Sequence, residues 1–169
     1  MKRILKECFH ALMEAVFIAV ILYFVMWPVH INGSSMQETF HSGDRAAISR
    51  VLTYFRQYSR GDIVVVKTGT AQLGPDRDII KRIIAVPGDH LVISHGIVVL
   101  NGERLAEEYT GGVPTDGDVN IILGDDEYFL MGDNRPDSVD SRCFGAVRRG
   151  DIIGRVIFKF YPFNEVMFF

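Results

Sequence analysis

Hydrophobic positions form one long run near the N-terminus and give way, after residue 28, to short segments separated by polar turns. The long run extends from Ala11 to Trp27, 17 residues that are interrupted only by Glu14. Extended to Phe9 and Val29, it covers 21 residues, or about 31 Å of α-helix. Because a hydrocarbon core is about 30 Å thick, the pattern predicts one membrane-spanning helix.

The charged residues that flank this run predict its orientation. Lys2, Arg3 and Lys6 precede the run. Positively charged flanks of a membrane span remain on the cytoplasmic side. We therefore expect residues 1–29 to form a cytoplasmic stub and transmembrane anchor in the cell membrane, and residues 30–169 to form an extracytoplasmic domain.

Two other structures could produce the same run. A cleaved secretory signal has the same order of charge and apolar residues, but the sequence Trp27-Pro28 and its neighbours lack the small residues of a cleavage site. A buried core helix would show a polar face, and none alternates through residues 16–26. An uncleaved anchor is therefore the preferred interpretation.

Beyond the anchor, segments rich in β-branched and aromatic residues alternate with Gly, Asp, Asn and Pro. This pattern predicts seven strands, at Ala46–Val51, Asp62–Lys67, Ile79–Ala85, His90–Ser94, Ile97–Leu100, Glu127–Met131 and Ile152–Phe160. Ser94–Gly96 and Asn101-Gly102 are typical of tight turns, and residues 111–118 are predicted to form an exposed loop. The chain is therefore expected to be mostly β, as a folded sheet or barrel-like domain behind the N-terminal helix.

The net charge and the cysteines exclude several functional classes. The formal net charge is −3, whereas a nucleic-acid binder normally carries a basic face, so no nucleic-acid partner is expected. Cys8 and Cys143 lack the spacing of a metal site, and the five histidines form no ligand motif. The sequence predicts no metal site.

The first candidate for chemistry lies directly after the anchor. Residues 32–39 read Asn-Gly-Ser-Ser-Met-Gln-Glu-Thr. A serine hydroxyl becomes a nucleophile only when a base is positioned beside it, so the segment alone is equally typical of a polar turn.

The second candidate is Lys81, which is surrounded in sequence by four isoleucines, at 79, 80, 83 and 84. On an alternating strand Lys81 shares a face with Ile79 and Ile83, so its ammonium group is expected to be partly desolvated. Desolvation lowers the pKa of a lysine toward neutrality, and the neutral amine can accept a proton from serine. The alternative is a surface lysine whose neighbour Arg82 points inward.

The third candidate is a polar loop at residues 131–145, which contains four acidic or amide side chains, two serines and two arginines. Such a density of polar groups favours a hydrogen-bonded network that holds neighbouring strands in place. A calcium-binding loop is the other reading, but the spacing lacks the terminal glutamate of an EF-hand.

These three segments resemble the sequence boxes of the type I signal peptidases, the bacterial serine–lysine leader peptidases. Residues 33–39 correspond to the family's Gly-x-Ser-Met-x-Pro-Thr box, which follows a membrane anchor. Residues 81–89 resemble its Lys-Arg…Pro-Gly-Asp box, and residues 132–145 resemble its Gly-Asp-Asn-Arg…Ser-x-Asp-Ser-Arg…Gly box. The boxes occur in the family's order along almost the whole chain, and Gly33 resembles the short forms of Gram-positive bacteria.

The resemblance implies a coiled β-sheet peptidase domain that removes signal peptides from exported preproteins at small-x-small sites, without a cofactor and at a lipid bilayer. Acyl transfer through an ester intermediate would use the Ser35 N–H to hold the oxyanion. The implied site residues are Ser35 as nucleophile, Lys81 as general base, Ser138 to orient the amine, Asp140 and Arg142 to brace the loop, and Ile31, Met36 and Ile80 to line the pocket before the cut.

The sequence departs from the family's pattern at Glu38, which stands where the family usually has proline. The change removes a fixed φ angle after the nucleophile, and it adds a carboxylate that raises the pKa of Lys81 if it lies close.

Other functions remain open. One is a specialised Ser–Lys maturation peptidase, and a self-cleaving repressor-like protein is disfavoured by the anchor. Another is a catalytically silent, membrane-tethered domain that binds extended peptides.

Overall fold

A computed structural model of the chain describes residues 2–49, 58–68 and 77–169. The helices in these residues are α1 (Lys2–Val25) and the short α2 (Ser141–Phe144), with 3₁₀ turns at Glu108–Thr110, Arg135–Asp137, Arg149–Asp151 and Phe163–Glu165. The strands are β1 (Met26–His30), β2 (Arg45–Ser49), β3 (Ile63–Thr68), β4 (Arg77–Ala85), β5 (His90–Ser94), β6 (Ile97–Leu100), β7 (Glu103–Arg104), β8 (Val119–Ile122), β9 (Glu127–Met131), β10 (Val147–Arg148), β11 (Ile152–Tyr161) and β12 (Met167–Phe168).

The strands form two antiparallel sheets. The larger sheet has the order β1-β2-β11-β3-β4-β9-β10, with β12 paired to β11. The smaller sheet has the order β7-β6-β5-β8. This architecture confirms the prediction of a mostly β protein.

The seven predicted strands are all present, as β2, β3, β4, β5, β6, β9 and β11. The last two residues of the first predicted strand, 50 and 51, lie outside the described residues. Five further strands were not predicted. Three of these, β7, β10 and β12, have two residues each, which is too short for an alternating pattern to be read.

Both predicted tight turns are confirmed. His95 and Gly96 connect β5 to β6 with φ angles of 52° and 78°, and Asn101 and Gly102 connect β6 to β7 with 53° and 87°. Positive φ at both central residues is the requirement of the hairpin turns that match strand twist. These two turns fix the register of β5 with β6 and of β6 with β7.

The N-terminal helix ends four residues before the predicted end of the anchor. Residues 26–30 form β1 instead, which pairs with β2 from Met26 opposite Ser49 to His30 opposite Arg45. Pro28 lacks an N–H donor, and an edge strand such as β1 tolerates that loss because one side of it has no partner strand. Residues 26–29, which the sequence analysis placed in the anchor, thus have their backbone paired with β2, and the domain boundary at residue 29 stays a prediction.

Helix α1 carries many large apolar side chains on its surface. Those that are about half exposed or more are Ile4, Leu5, Phe9, Leu12, Met13, Val16, Phe17, Ile18 and Val20. Across the part of the chain that the structure describes, no helix combines the length and apolarity needed to cross a membrane.

The core explains why β3 is apolar without alternation. Ile63 and Val65 pack in one buried cluster with Ile48 and Val156, while the intervening Val64 and Val66 pack in a second cluster on the opposite face. A strand that is covered on both faces reads as a continuous hydrophobic run. A third cluster joins the two sheets through residues of β4, β5, β6 and β9.

Candidate active site

Ser35 lies in the connection between β1 and β2, and backbone hydrogen bonds close this connection at its base. The Ile31 N–H donates to the Asp44 carbonyl at 2.9 Å, and the Gly43 N–H donates to the Ile31 carbonyl at 2.9 Å. Within the loop, the Phe40 N–H donates to the Met36 carbonyl at 2.7 Å, and both of these side chains are fully buried. The apolar anchors thereby fix the turn that presents Ser35.

Lys81 projects from β4 to Ser35, although 46 positions separate the two residues in sequence. The distance between Lys81 Nζ and Ser35 Oγ is 2.6 Å, and Lys81 is only 3% exposed. Burial lowers the pKa of Lys81 from 10.5 to about 8, against the opposing charges of Asp140 and Asp133. A substantial fraction of the amine is therefore neutral near pH 8, which is the form that can accept a proton from a hydroxyl.

The two carboxylates that oppose this shift are themselves paired with arginines. Asp133 accepts hydrogen bonds from Arg82 Nη2 at 2.6 Å and Nε at 2.8 Å. Asp140 accepts from Arg142 Nη2 at 2.8 Å and Nε at 2.9 Å. Because each acid already has a cation, its attraction for a proton on Lys81 is weakened, and desolvation remains the dominant effect on that pKa.

In the loop that follows β9, Asp140 and Arg142 form hydrogen bonds with each other and with neighbouring backbone groups. Asp140 Oδ2 accepts the Gly132 N–H at 3.0 Å, and Arg142 Nη2 donates to the Arg135 carbonyl at 2.7 Å. Burial raises the pKa of Asp140, but the hydrogen bonds and the charge of Arg142 lower this pKa by more than burial raises it. The pKa of Asp140 therefore lies below its usual range. Asp140 thus stays ionised, and its bonds to Gly132 and Arg142 hold the loop.

Ser138 lies against Gly132, and it does not form the hydrogen bond to Lys81 that the sequence analysis expected. The Ser138 hydroxyl is buried and has no hydrogen-bond partner among the described residues. It is near enough to Asp140 to lower the pKa of that carboxyl, although the pair lacks hydrogen-bond geometry. The orienting role of Ser138 therefore stays a prediction.

A cavity of about 280 Å³ opens beside the Ser35–Lys81 pair. Ile31 and Ile80 line it, together with Val29, His30, Asn32, Val65, Asp78 and Ile79, and their role as substrate-pocket residues stays a prediction. Met36, the third expected pocket residue, does not line this cavity. Its side chain is 1% exposed and packs in the hydrophobic cluster beneath the loop. Burial in that cluster anchors the turn that carries Ser35.

Sequence reasoning missed the role of Asn134 at this site. The Asn134 N–H donates to the Ser35 carbonyl at 3.1 Å, and its Nδ2 donates to the Ser34 carbonyl and to Gln37 Oε1, each at 3.1 Å. The Ser34 hydroxyl also donates to the Asp137 carboxylate. These bonds tie the turn of Ser35 to the loop after β9. The density of polar residues in that loop predicted a network, but not its partners.

Glu38 adopts a backbone conformation that proline cannot take. Its φ angle is 89°, whereas the proline ring fixes φ near −65°. The carboxylates that raise the pKa of Lys81 are Asp140, Asp133 and Asp137, so the expectation that Glu38 acts on that pKa has no support here. A proline at this position would therefore require a different turn after Ser35. Within the described residues, no group of three or more His, Cys, Asp or Glu side chains is placed to hold a metal ion.

Comparison with known proteins agrees with this geometry. The family described as signal peptidase, peptidase S26, matches residues 1–161. Signal peptidase I T of Bacillus subtilis (strain 168) is 33% identical over 168 aligned residues, which cover 92% of this chain and 85% of that protein. Probable signal peptidase I-1 of Synechocystis is 35% identical over 163 residues, covering 94% of this chain and 83% of that protein.

A solved structure supports the same assignment. The crystal structure of a signal peptidase I from Enterococcus faecalis V583 matches with a TM-score of 0.52 and 25% identity, over 59% of this chain and 97% of that one. The resemblance predicted from the three sequence segments is therefore confirmed. The chain belongs to the signal peptidase family, peptidase S26.

Proposed function

We propose that this chain removes signal peptides from exported preproteins, with Ser35 as the nucleophile and Lys81 as the general base. Membership of the signal peptidase family makes the chain a serine endopeptidase of the signal peptidase I type. The assignment of residues rests on one observation: a 2.6 Å contact joins Lys81 Nζ to Ser35 Oγ where burial lowers the lysine pKa to about 8.

The proposed mechanism uses Lys81 twice. The neutral amine accepts the Ser35 proton as Oγ attacks the scissile carbonyl carbon, and the Ser35 N–H holds the oxyanion. The Lys81 ammonium then donates this proton to the leaving amine, and the C–N bond breaks to give an ester with Ser35. Neutral Lys81 finally removes a proton from a water molecule as the water oxygen attacks the ester carbonyl. When the bond to Ser35 Oγ breaks, the Lys81 ammonium returns this proton to Ser35. The buried Ser138 hydroxyl is available to orient the amine during these steps.

The cavity beside Ser35 supports a preference for small residues before the cut. We expect its volume of about 280 Å³ to receive both small side chains of a small-x-small sequence, and Ile31 and Ile80 give it apolar walls. Val29 and His30 of the edge strand β1 also line it. An extended substrate can therefore pair its backbone with a strand edge while its side chains enter the cavity.

We further propose that α1 anchors the enzyme in the membrane as a single span, with the N-terminus cytoplasmic and the β domain outside. The exposed apolar side chains of α1 and the basic residues before them support this arrangement. External protease should digest the β domain in intact spheroplasts. Protection of the domain until the cells are lysed would contradict the orientation.

Cleavage of a peptide with an Ala-x-Ala site, followed as kcat/KM against pH, tests the proposed reaction. A neutral base with a pKa of about 8 is only about one-tenth populated at pH 7, so kcat/KM should rise about tenfold between pH 7 and pH 9.5 and then level off. Mass spectrometry should locate the cut directly after the second alanine. Binding without turnover would indicate the catalytically silent domain, and a flat profile would remove the argument for Lys81 as the base.

A further inference from the structure

We infer that a second cavity next to the nucleophile binds a basic side chain of the substrate, within the first three residues after the scissile bond, and that Glu38 determines this specificity. The inference rests on the proposed function, because it assigns a subsite to the same cleavage reaction. It concerns the side of the cut that becomes the mature protein.

The second cavity has a volume of about 410 Å³. Gln37, Glu38 and His41 form one wall, and Asn134 with its neighbours in the loop after β9 forms another. The volume is large enough for a long side chain such as lysine or arginine. None of its lining residues lines the cavity that holds Ser35 and Lys81, so the two are separate spaces.

The second cavity nevertheless adjoins the nucleophile. Asn134, which lines it, donates its N–H to the Ser35 carbonyl and its side-chain amide to Gln37 Oε1. The turn that carries Ser35 thus separates the two cavities. If the residues before the cut occupy the cavity beside Lys81, the chain beyond the Ser35 hydroxyl must continue on the opposite side of this turn. An extended chain advances about 3.3 Å per residue, so its first residues reach the second cavity.

Glu38 supplies the uncompensated charge of this cavity. Asp133 is paired with Arg82 at 2.6 Å, and Arg135 is paired with Glu107 at 2.5 Å. Among the described residues, Glu38 has no hydrogen-bond or ion-pair partner, although it lines the same space. The cavity therefore presents one free carboxylate to a substrate, and the complementary group is a lysine ammonium or an arginine guanidinium.

The backbone holds this carboxylate at the cavity wall. The Thr39 N–H donates to the Met36 carbonyl at 3.0 Å, which closes the turn with Glu38 at its positive φ of 89°. The carboxyl group lies against Gly111 on the facing loop, where a Cβ would stand 3.6 Å from Glu38 Cδ. A substrate cation thus meets a carboxylate that lies between the turn of Ser35 and the facing loop, although Glu38 itself is exposed to solvent.

The test compares peptides that share an Ala-x-Ala site and differ only after the cut. Lysine, glutamate or alanine is placed at the first, second or third position, and kcat/KM is measured for the full-length enzyme in detergent at low salt. We expect lysine to be preferred over glutamate by about fivefold at one of these positions, since the pair is partly solvated. Glu38→Gln should abolish this ratio, and Glu38→Lys should reverse it.

Glu103→Gln is the matched control, because Glu103 is an exposed glutamate on β7 outside the cavity. It should leave the lysine-to-glutamate ratio at the wild-type value. Glu38→Asn provides a second neutral variant, since asparagine tolerates positive φ better than most residues. If Glu38→Gln and Glu38→Asn both keep the wild-type lysine-to-glutamate ratio, the proposed subsite is overturned. Cleavage of the alanine peptide in the same experiment would still support the proposed function. If the wild type cuts none of the peptides, the proposed function fails and the subsite fails with it.

Discussion

Replacing Lys81 with methionine is expected to lower kcat/KM for signal-peptide cleavage by about four orders of magnitude while making the protein more stable at neutral pH. The loss of activity follows because the variant has no group beside Ser35 Oγ that can accept its proton. The gain in stability follows because methionine has a similar shape but carries no charge into a site that is 3% exposed.

The pKa of Lys81 gives the sign and the pH range of this stability effect. Its pKa is about 8 in the folded protein and 10.5 ordinarily, so folding disfavours the charged form by roughly 3 kcal/mol. This destabilisation is fully present below pH 8 and is relieved as pH rises from 8 to 10.5, because there the unfolded chain binds the proton and the folded chain does not. Lost contacts reduce the net gain of Lys81→Met to about 1–3 kcal/mol at pH 6.5.

Urea denaturation of both proteins at pH 6.5 and pH 10.5 measures the effect. The advantage of Lys81→Met should be largest at pH 6.5 and should shrink at pH 10.5. Ser35→Ala is the control, because it also removes activity but leaves the buried amine in place, and its stability should not show this pH dependence relative to wild type. A destabilised Lys81→Met at pH 6.5 would mean that the ammonium is held favourably, and that the low pKa is mistaken.

The sequence predicted the strands well because their signal is local. Strand β5 and its turn at His95-Gly96 follow from alternation and turn chemistry within about ten residues. Strand β1 was missed because its residues are as apolar as those of α1, and only the pairing with β2 decides between helix and strand. When pairing with a strand elsewhere in the chain decides between helix and strand, the local sequence carries no pattern that predicts the outcome.

The site was predictable as a set of residues but not as a geometry. The sequence around Lys81 indicated desolvation, which the structure shows, yet only the resemblance to a family paired it with Ser35. The backbone of Glu38 at φ 89° could not be foreseen, since residues other than glycine rarely adopt it. The contacts of Asn134 were equally hidden, because they join the turn of Ser35 to a loop about a hundred residues later.

Gly132→Ala is expected to lower kcat/KM by at least about a hundredfold and to destabilise the fold by about 2–3 kcal/mol. Gly132 directly follows β9, and a Cβ built there would collide with the Ser35 carbonyl oxygen and with the Ser138 side chain. Rotation of the Ser138 side chain relieves only the contact with its hydroxyl, and the Ser35 carbonyl belongs to the main chain of the proposed nucleophile. Relief of the collision therefore displaces Ser35 from Lys81.

Gly150→Ala is the matched control for this substitution. Gly150 has no positive φ and would gain a Cβ with no atom within 4 Å, so its replacement should change activity and stability little. A double variant, Gly132→Ala with Ser138→Gly, separates the two collisions when it is compared with Ser138→Gly alone, which accounts for any loss caused by the missing hydroxyl. Because it removes only the serine side chain and leaves the Ser35 carbonyl in the way, we expect it to recover little of the lost kcat/KM. Near-wild-type activity in Gly132→Ala alone would show that the turn of Ser35 can retreat from β9 without losing the contact with Lys81.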